Sequence, residues 1–153
     1  AKDGLDVTTP AIIKMLHLSQ KSKGISFNEV VHSCRIVPVA VSYEYDPCDL
    51  IKAGEEVAKM QRGEQTKKRY EDLISISHGL RGYKGNIHIS FGTPISGEFQ
   101  NSEQVAAEID RQIHTSYKLW PSNLFAYDYL SKENRFTDSY KDFDTHAFLY
   151  RFK

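Results

Sequence analysis

The feature that most constrains the fold is a pair of short apolar segments set among helical patterns. Residues 35–43 form a continuous valine-rich run, which is typical of a strand buried on both faces of a mainly parallel sheet. Asn86 to Phe91 alternate between apolar and polar side chains and predict a second strand. Strands that alternate with helices indicate an α/β layered fold. Two strands are too few for a complete doubly wound sheet, so we expect further strands upstream of these two.

Helical patterns surround both strands. Apolar residues recur at helical spacing from Pro10 to about Gln20, and Ser26 to Glu29 has the spacing of a capping box. Further helices are predicted after Asp46, over residues 64–80, from Ser102 as N-cap to about residue 119, and from Pro121. We expect a mixed, mainly parallel sheet flanked by these helices.

Composition indicates an ordinary globular domain. The chain has 153 residues, 40% of them hydrophobic, and can bury a core without a metal or disulfide staple. Its formal net charge is zero, so any anion site must be local rather than part of a global field for nucleic acid or acidic membranes. Cys34 and Cys48 give neither a disulfide framework nor a metal-binding spacing, which favours a reducing cytoplasm.

No apolar run approaches the roughly 20 residues needed to span a bilayer. Ala1 to Gly4 has the character neither of a signal peptide nor of a natural start, so we expect the N-terminus to be a cut in a longer protein. The alternative is a processed or trimmed small protein.

The sequence contains no recognisable catalytic motif. None of the six histidines has an aspartate five positions later, and neither a metal-ligand spacing nor a nucleophile elbow occurs. His88 alternates with apolar neighbours and is interpreted as a structural histidine. The basic run Lys67 to Tyr70 is flanked by acidic residues at helical distance, which favours a solvated helix face over nucleic-acid binding.

Three blocks of the sequence, in order over about residues 1–95, resemble a known family. Ala1 to Gly4 resembles the end of a block reading Glu-Gly-x-Arg-Ser-Arg-x-Gly, Ile36 to Glu44 resembles an Ile/Val-Pro-Ile/Val strand followed by Tyr-Glu, and Gly85 to Ile95 resembles a strand ending in Phe-Gly-x-Pro-Ile. The family is that of the glycerol-3-phosphate and 1-acylglycerol-3-phosphate acyltransferases. The resemblance implies an acyltransferase-like domain whose C-terminal part spans residues 1–120, followed by a helical and aromatic extension over 121–153.

The resemblance implies a site that is divided between this chain and a preceding segment. The family's His-(four residues)-Asp pair lies upstream of Ala1, so no catalytic residue and no metal ligand is expected here. There the histidine would take a proton from a glycerol hydroxyl, which then attacks an acyl thioester. Within this chain Lys2 and Gly4 match the phosphate-holding loop, with lysine where arginine is usual, and Pro38 matches the mouth of the acceptor pocket.

The implied function is acyl transfer from acyl-CoA or acyl carrier protein, as co-substrate and without a cofactor, to a phosphate-bearing glycerol acceptor in phospholipid biosynthesis. Glycerol-3-phosphate and 1-acylglycerol-3-phosphate both remain open as acceptors. The protein would lie on the cytoplasmic face of the cell membrane, in peripheral contact with it through the missing N-terminal part. The alternative is a stand-alone, non-catalytic binding or scaffold domain. Pro38 has two interpretations: it ends strand pairing at a substrate cleft, or it lies harmlessly at a sheet edge.

Overall fold

The computed structural model describes residues 7–63 and 71–151 of the chain, which form a mixed α/β structure dominated by helices. The elements of the first half are α1 (Pro10–Gln20), a 3₁₀ turn (Lys21–Lys23), α2 (Phe27–Cys34), β1 (Val39–Tyr43) and α3 (Asp49–Arg62). The second half contains α4 (Glu71–Arg81), β2 (Ile87–Phe91), α5 (Ser102–Ser116), α6 (Pro121–Ser131), a 3₁₀ turn (Thr137–Ser139) and α7 (Thr145–Tyr150).

The two strands pair as an antiparallel sheet, so the predicted mainly parallel arrangement is wrong for the part of the chain described. Beyond one end of the ladder, the amide of Gly92 donates to the carbonyl of Pro38. Beyond the other end, the amide of Glu44 donates to the carbonyl of Asn86. Residue numbers therefore rise on β1 as they fall on β2. The connection between the strands contains α3 and α4 and is long enough to join either parallel or antiparallel strands. The apolar pattern of each strand does not indicate which of the two arrangements forms.

Burial along β1 also differs from the prediction of a strand covered on both faces. Ala40 and Ser42 are buried, whereas Val39, Val41 and Tyr43 are exposed. The outward side chains are the larger apolar ones, and the inward ones are small. A continuous valine-rich run therefore corresponds here to a one-sided strand, which antiparallel sheets permit.

The chain divides into two compact units, Ala1–Ser42 with His88–Lys118 and Tyr43–Ile87 with Leu119–Lys153. In the first unit, α1 packs against α5 and α2. Its core is a cluster of five buried apolar residues, namely Ile13, Val31, Ile95, Val105 and Ala106. Val105 and Ile109 lie on the inner side of α5, as their helical spacing predicts.

The second unit is organised by aromatic side chains from α6 and the segment after it. The ring of Phe125 lies 5.5 Å from that of Tyr140 and 5.7 Å from that of Phe148, both edge-on. Asp128 is buried beside them, and its Oδ2 accepts hydrogen bonds from the Tyr140 hydroxyl and the Phe136 amide. These contacts give structure to an aromatic tail whose elements the sequence pattern did not predict.

The helix boundaries confirm some of the predicted caps and correct others. Ser26 and Glu29 form the expected reciprocal capping box at the start of α2, and α6 begins at Pro121. Asn101, rather than Ser102, caps α5, because its side chain accepts a hydrogen bond from the Gln104 amide. Residues 64–70 of the predicted helix over 64–80 lie outside the described residues, and α4 covers Glu71–Arg81.

Candidate functional site

Pro38 lies immediately before β1, rather than inside a strand as predicted, and it is buried. Its carbonyl accepts a hydrogen bond of 2.8 Å from the amide of Gly92, which follows β2. Because proline has no amide hydrogen, the reciprocal ladder bond at this position cannot form. Two residues before Pro38, the Ile36 carbonyl accepts a 2.8 Å hydrogen bond from the amide of Ile95, which lies three residues after Gly92. The backbone contact between the two segments therefore extends beyond the strands, but with a shifted register and without a regular ladder.

A buried glutamine on α5 holds the turn that follows β2. The Oε1 atom of Gln112 accepts a 2.9 Å hydrogen bond from the backbone amide of Thr93. Gly92 makes this approach feasible, since a Cβ there would overlap the Gln112 amide and stand 3.2 Å from the Pro38 carbonyl oxygen. Sequence reasoning missed Gln112, although its place seven residues after buried Val105 was a signal that a polar side chain would face the core.

Gln112 is connected to an ion pair on the same helix. Its Nε2 donates to Oε1 of Glu108 at 3.0 Å, and the Arg111 guanidinium donates to both carboxylate oxygens of Glu108 at 2.6 and 2.7 Å. The hydrogen bonds from Arg111, and next the one from Gln112, lower the pKa of Glu108 to about 2, against the opposing effect of burial. Glu108 is thus a fixed anion at neutral pH and is unsuited to act as a general base.

Glu44, in the second unit, also has its carboxylate committed to structure. Its Oε2 accepts hydrogen bonds from the backbone amide and the side-chain Nδ2 of Asn86 at 2.9 and 2.8 Å. Gly85 has φ of +62°, and a Cβ there would come within 2.6 Å of the same oxygen. The Ser122 hydroxyl donates to the Glu44 carbonyl at 2.6 Å. Glu44, which directly follows β1, therefore secures the end of the strand.

The predicted phosphate loop cannot be placed beside these residues. Lys2 and Gly4 lie outside the described residues, so their proximity to Pro38 stays a prediction, as do both interpretations of Pro38. Over residues 7–63 and 71–151, no group of three or more His, Cys, Asp or Glu side chains is arranged to hold a metal ion.

An open recess of about 330 Å³ lies elsewhere in the first unit, between α1 and the start of α5. Lys14, His17 and Asn101 are among its lining residues. The Lys14 ammonium is paired with Glu103 at 2.6 Å, and Asn101 caps α5. The Lys14 ammonium and the Asn101 side chain are therefore both engaged within the protein.

Comparison with protein-family models, with curated proteins and with solved structures finds no match to this chain. Among its described helices, none has both the length and the apolar character that crossing a bilayer requires.

Proposed function

We propose that this chain is the C-terminal part of an acyltransferase that transfers an acyl group from acyl-CoA or acyl carrier protein to glycerol-3-phosphate or 1-acylglycerol-3-phosphate. The catalytic histidine and aspartate would be supplied by the preceding segment. On this proposal β1 and β2 form an antiparallel edge of a larger sheet, and Lys2, Gly4 and Pro38 line the acceptor side of the site.

The observation that carries the proposal is the pairing of two family-like blocks that are distant in sequence. The block that contains Pro38 and the block that contains Gly92 are neighbours in the sheet. Residues that give each block its character also depend on one another, since Gly85 accommodates Glu44 and the Gly92 amide bonds to Pro38. Such mutual dependence supports the view that the two blocks belong to one inherited unit.

The experiment is to determine the coding sequence upstream of Ala1 and to assay the protein that it encodes. We expect an in-frame His-(four residues)-Asp motif, and acyl transfer from labelled acyl-CoA or acyl carrier protein to a glycerol phosphate acceptor. Alanine at that histidine should abolish the activity, and the 153-residue chain alone should give no more turnover than a boiled control.

The alternative function is a non-catalytic binding or scaffold domain derived from the same fold. It is supported by the hydrogen bonds of Glu44 and Glu108, because both carboxylates bind other groups of the protein and neither is available for catalysis. A start codon directly upstream, with no acyl transfer by the encoded protein, would favour this alternative. Cytoplasmic location and peripheral membrane contact through the preceding segment belong to the first proposal.

A further inference from the structure

Gln112 is the largest polar side chain that the described part of the chain buries, with 8% of its surface exposed. Burial of an amide costs free energy unless both of its ends find hydrogen-bond partners. Both ends do so here, because Oε1 accepts from the Thr93 amide at 2.9 Å and Nε2 donates to Glu108 at 3.0 Å. The Thr93 hydroxyl also donates to Oε1, at 3.4 Å. Apolar packing does not require an amide at this position, so its hydrogen bonds serve to fix position.

The ion pair on α5 determines which way the Gln112 amide points. The Glu108 carboxylate, whose low pKa keeps it ionised at neutral pH, can only accept hydrogen bonds. Nε2 of Gln112 must therefore face Glu108. A backbone amide can only donate, so Oε1 faces Thr93. A rotated side-chain amide would set two donors against each other at Thr93 and two acceptors against each other at Glu108.

In this orientation Gln112 lies against Gly92, whose amide holds Pro38. A Cβ on Gly92 would overlap Oε1 of Gln112 and stand 3.2 Å from the Pro38 carbonyl oxygen. The Gly92 amide donates to that carbonyl at 2.8 Å, and the next amide along the chain, that of Thr93, donates to Gln112. Two successive amides therefore tie the turn after β2 to the Pro38 segment and to α5. A displaced Gln112 should shift this turn and, with it, Pro38.

We propose that Gln112 is a positioning residue for the acceptor side of the acyltransferase site, and that it acts on Pro38 through Gly92 and Thr93. Gln112 itself touches no substrate. The ligand whose binding depends on it is the phosphate-bearing glycerol acceptor, and binding of the acyl thioester donor is independent of it. This assignment rests on the proposed acyltransferase function, in which Pro38 lines the acceptor side.

The test is steady-state kinetics of the intact protein, with labelled acyl-CoA or acyl carrier protein as donor and each of the two glycerol phosphates as acceptor. Gln112→Met retains an unbranched side chain of similar volume but loses both hydrogen bonds. It should raise the acceptor KM about tenfold and leave kcat and the donor KM within about twofold of the wild type, because only the acceptor side is displaced. Amide hydrogen exchange at Thr93 should become faster in the same variant.

Gln104→Met is the matched control on the same helix. Gln104 also accepts a 2.9 Å hydrogen bond from a backbone amide, that of Gln100, but it does so at the start of α5, about two turns before Gln112. This control should leave the KM values of both substrates unchanged.

The transposition Glu108→Gln/Gln112→Glu tests the hydrogen bonds separately from packing. The carboxylate introduced at position 112 can accept from the Thr93 amide and from the side-chain amide introduced at position 108. The acceptor KM should therefore return to within about threefold of the wild type. Gln112→Glu alone sets two carboxylates against each other and should raise the acceptor KM at least as much as Gln112→Met does.

The outcomes separate this assignment from the proposed function. A wild-type protein that transfers no acyl group would remove both. An active wild type whose acceptor KM is unchanged by Gln112→Met would overturn the positioning role alone. The role is also wrong if Gln104→Met raises the acceptor KM as much, or if the KM values of donor and acceptor rise together in Gln112→Met. Should Gln112→Met fail to fold, equal acceptor KM values for Gln112→Glu and the transposition would overturn the role.

Discussion

Replacing Gly92 with alanine should destabilise the protein because it displaces the side chain of Gln112 on α5. The new Cβ would overlap the amide of Gln112, which must then rotate away from the Thr93 amide. The loss of that hydrogen bond, together with the repacking of a buried side chain, is worth about 2 kcal/mol. The backbone is not the obstacle, because the φ angle of Gly92 lies outside the left-handed region.

The double variant Gly92→Ala/Gln112→Ala isolates this mechanism. Gln112→Ala alone should also destabilise by about 2 kcal/mol, because it removes the same hydrogen bond and leaves a cavity. The double variant should be no less stable than Gln112→Ala, since the added methyl group occupies space that the amide has left. The coupling free energy is therefore about 2 kcal/mol, far from additivity.

Urea unfolding monitored by circular dichroism would give the free energies of the four proteins. Amide hydrogen exchange at Thr93 would report the local hydrogen bond in each. Gly54→Ala is the matched control: it lies inside α3 with no atom within 4 Å of a Cβ, and it should stabilise by about 0.5–1 kcal/mol. Additive effects of the Gly92 and Gln112 substitutions would refute the reasoning.

Three further predictions concern the ion pair and the proposed site. Because Arg111 lowers the pKa of Glu108 from 4.5 to about 2, the stabilisation from Glu108 should be complete above pH 4.5 and be lost as pH falls through 2. The difference in Tm between wild type and Glu108→Gln should close over that range, and a constant difference would contradict it. On the proposed acyltransferase function, Lys2→Ala in the intact protein should raise the acceptor KM about tenfold and leave the donor KM nearly unchanged, because a charge-assisted hydrogen bond is lost. An unaltered acceptor KM would place Lys2 in solvent. Pro38→Ala should lower turnover more than thermal stability if Pro38 borders the cleft, whereas a loss of stability alone would make it a structural residue.

Local patterns in the sequence predicted local structure well. The capping box at Ser26 and the helix start at Pro121 rest on side chains that act within one turn of their own position. Strand direction was not predictable, because it depends on how a long connection folds back. The prediction that β1 is buried on both faces was also wrong, because valine favours a pleated strand whether or not another layer covers it.

The site was less accessible to sequence reasoning than the fold. The contact between Gln112 and Thr93 joins α5 to a turn, and nothing within either segment specifies the other. The Glu44 carboxylate likewise finds Asn86 only because β1 and β2 pair. The motif resemblance indicated the two segments that contain Pro38 and Gly92. The individual hydrogen bonds between these segments depend on tertiary packing and could not be predicted from the motifs.

The order of the strands along the chain has a consequence for how the protein acquires its structure. β2 is synthesised after α3 and α4, so during translation β1 leaves the ribosome before its pairing partner exists. The two strands can pair only after the long segment between them has closed into a loop, which costs conformational entropy before any strand contact forms. Strand pairing is therefore slow compared with formation of the capped helices. During that interval the edges of β1 and its valine side chains are open to other chains. Expression at lower temperature or with chaperones should therefore improve the yield of folded protein, by protecting β1 until β2 arrives.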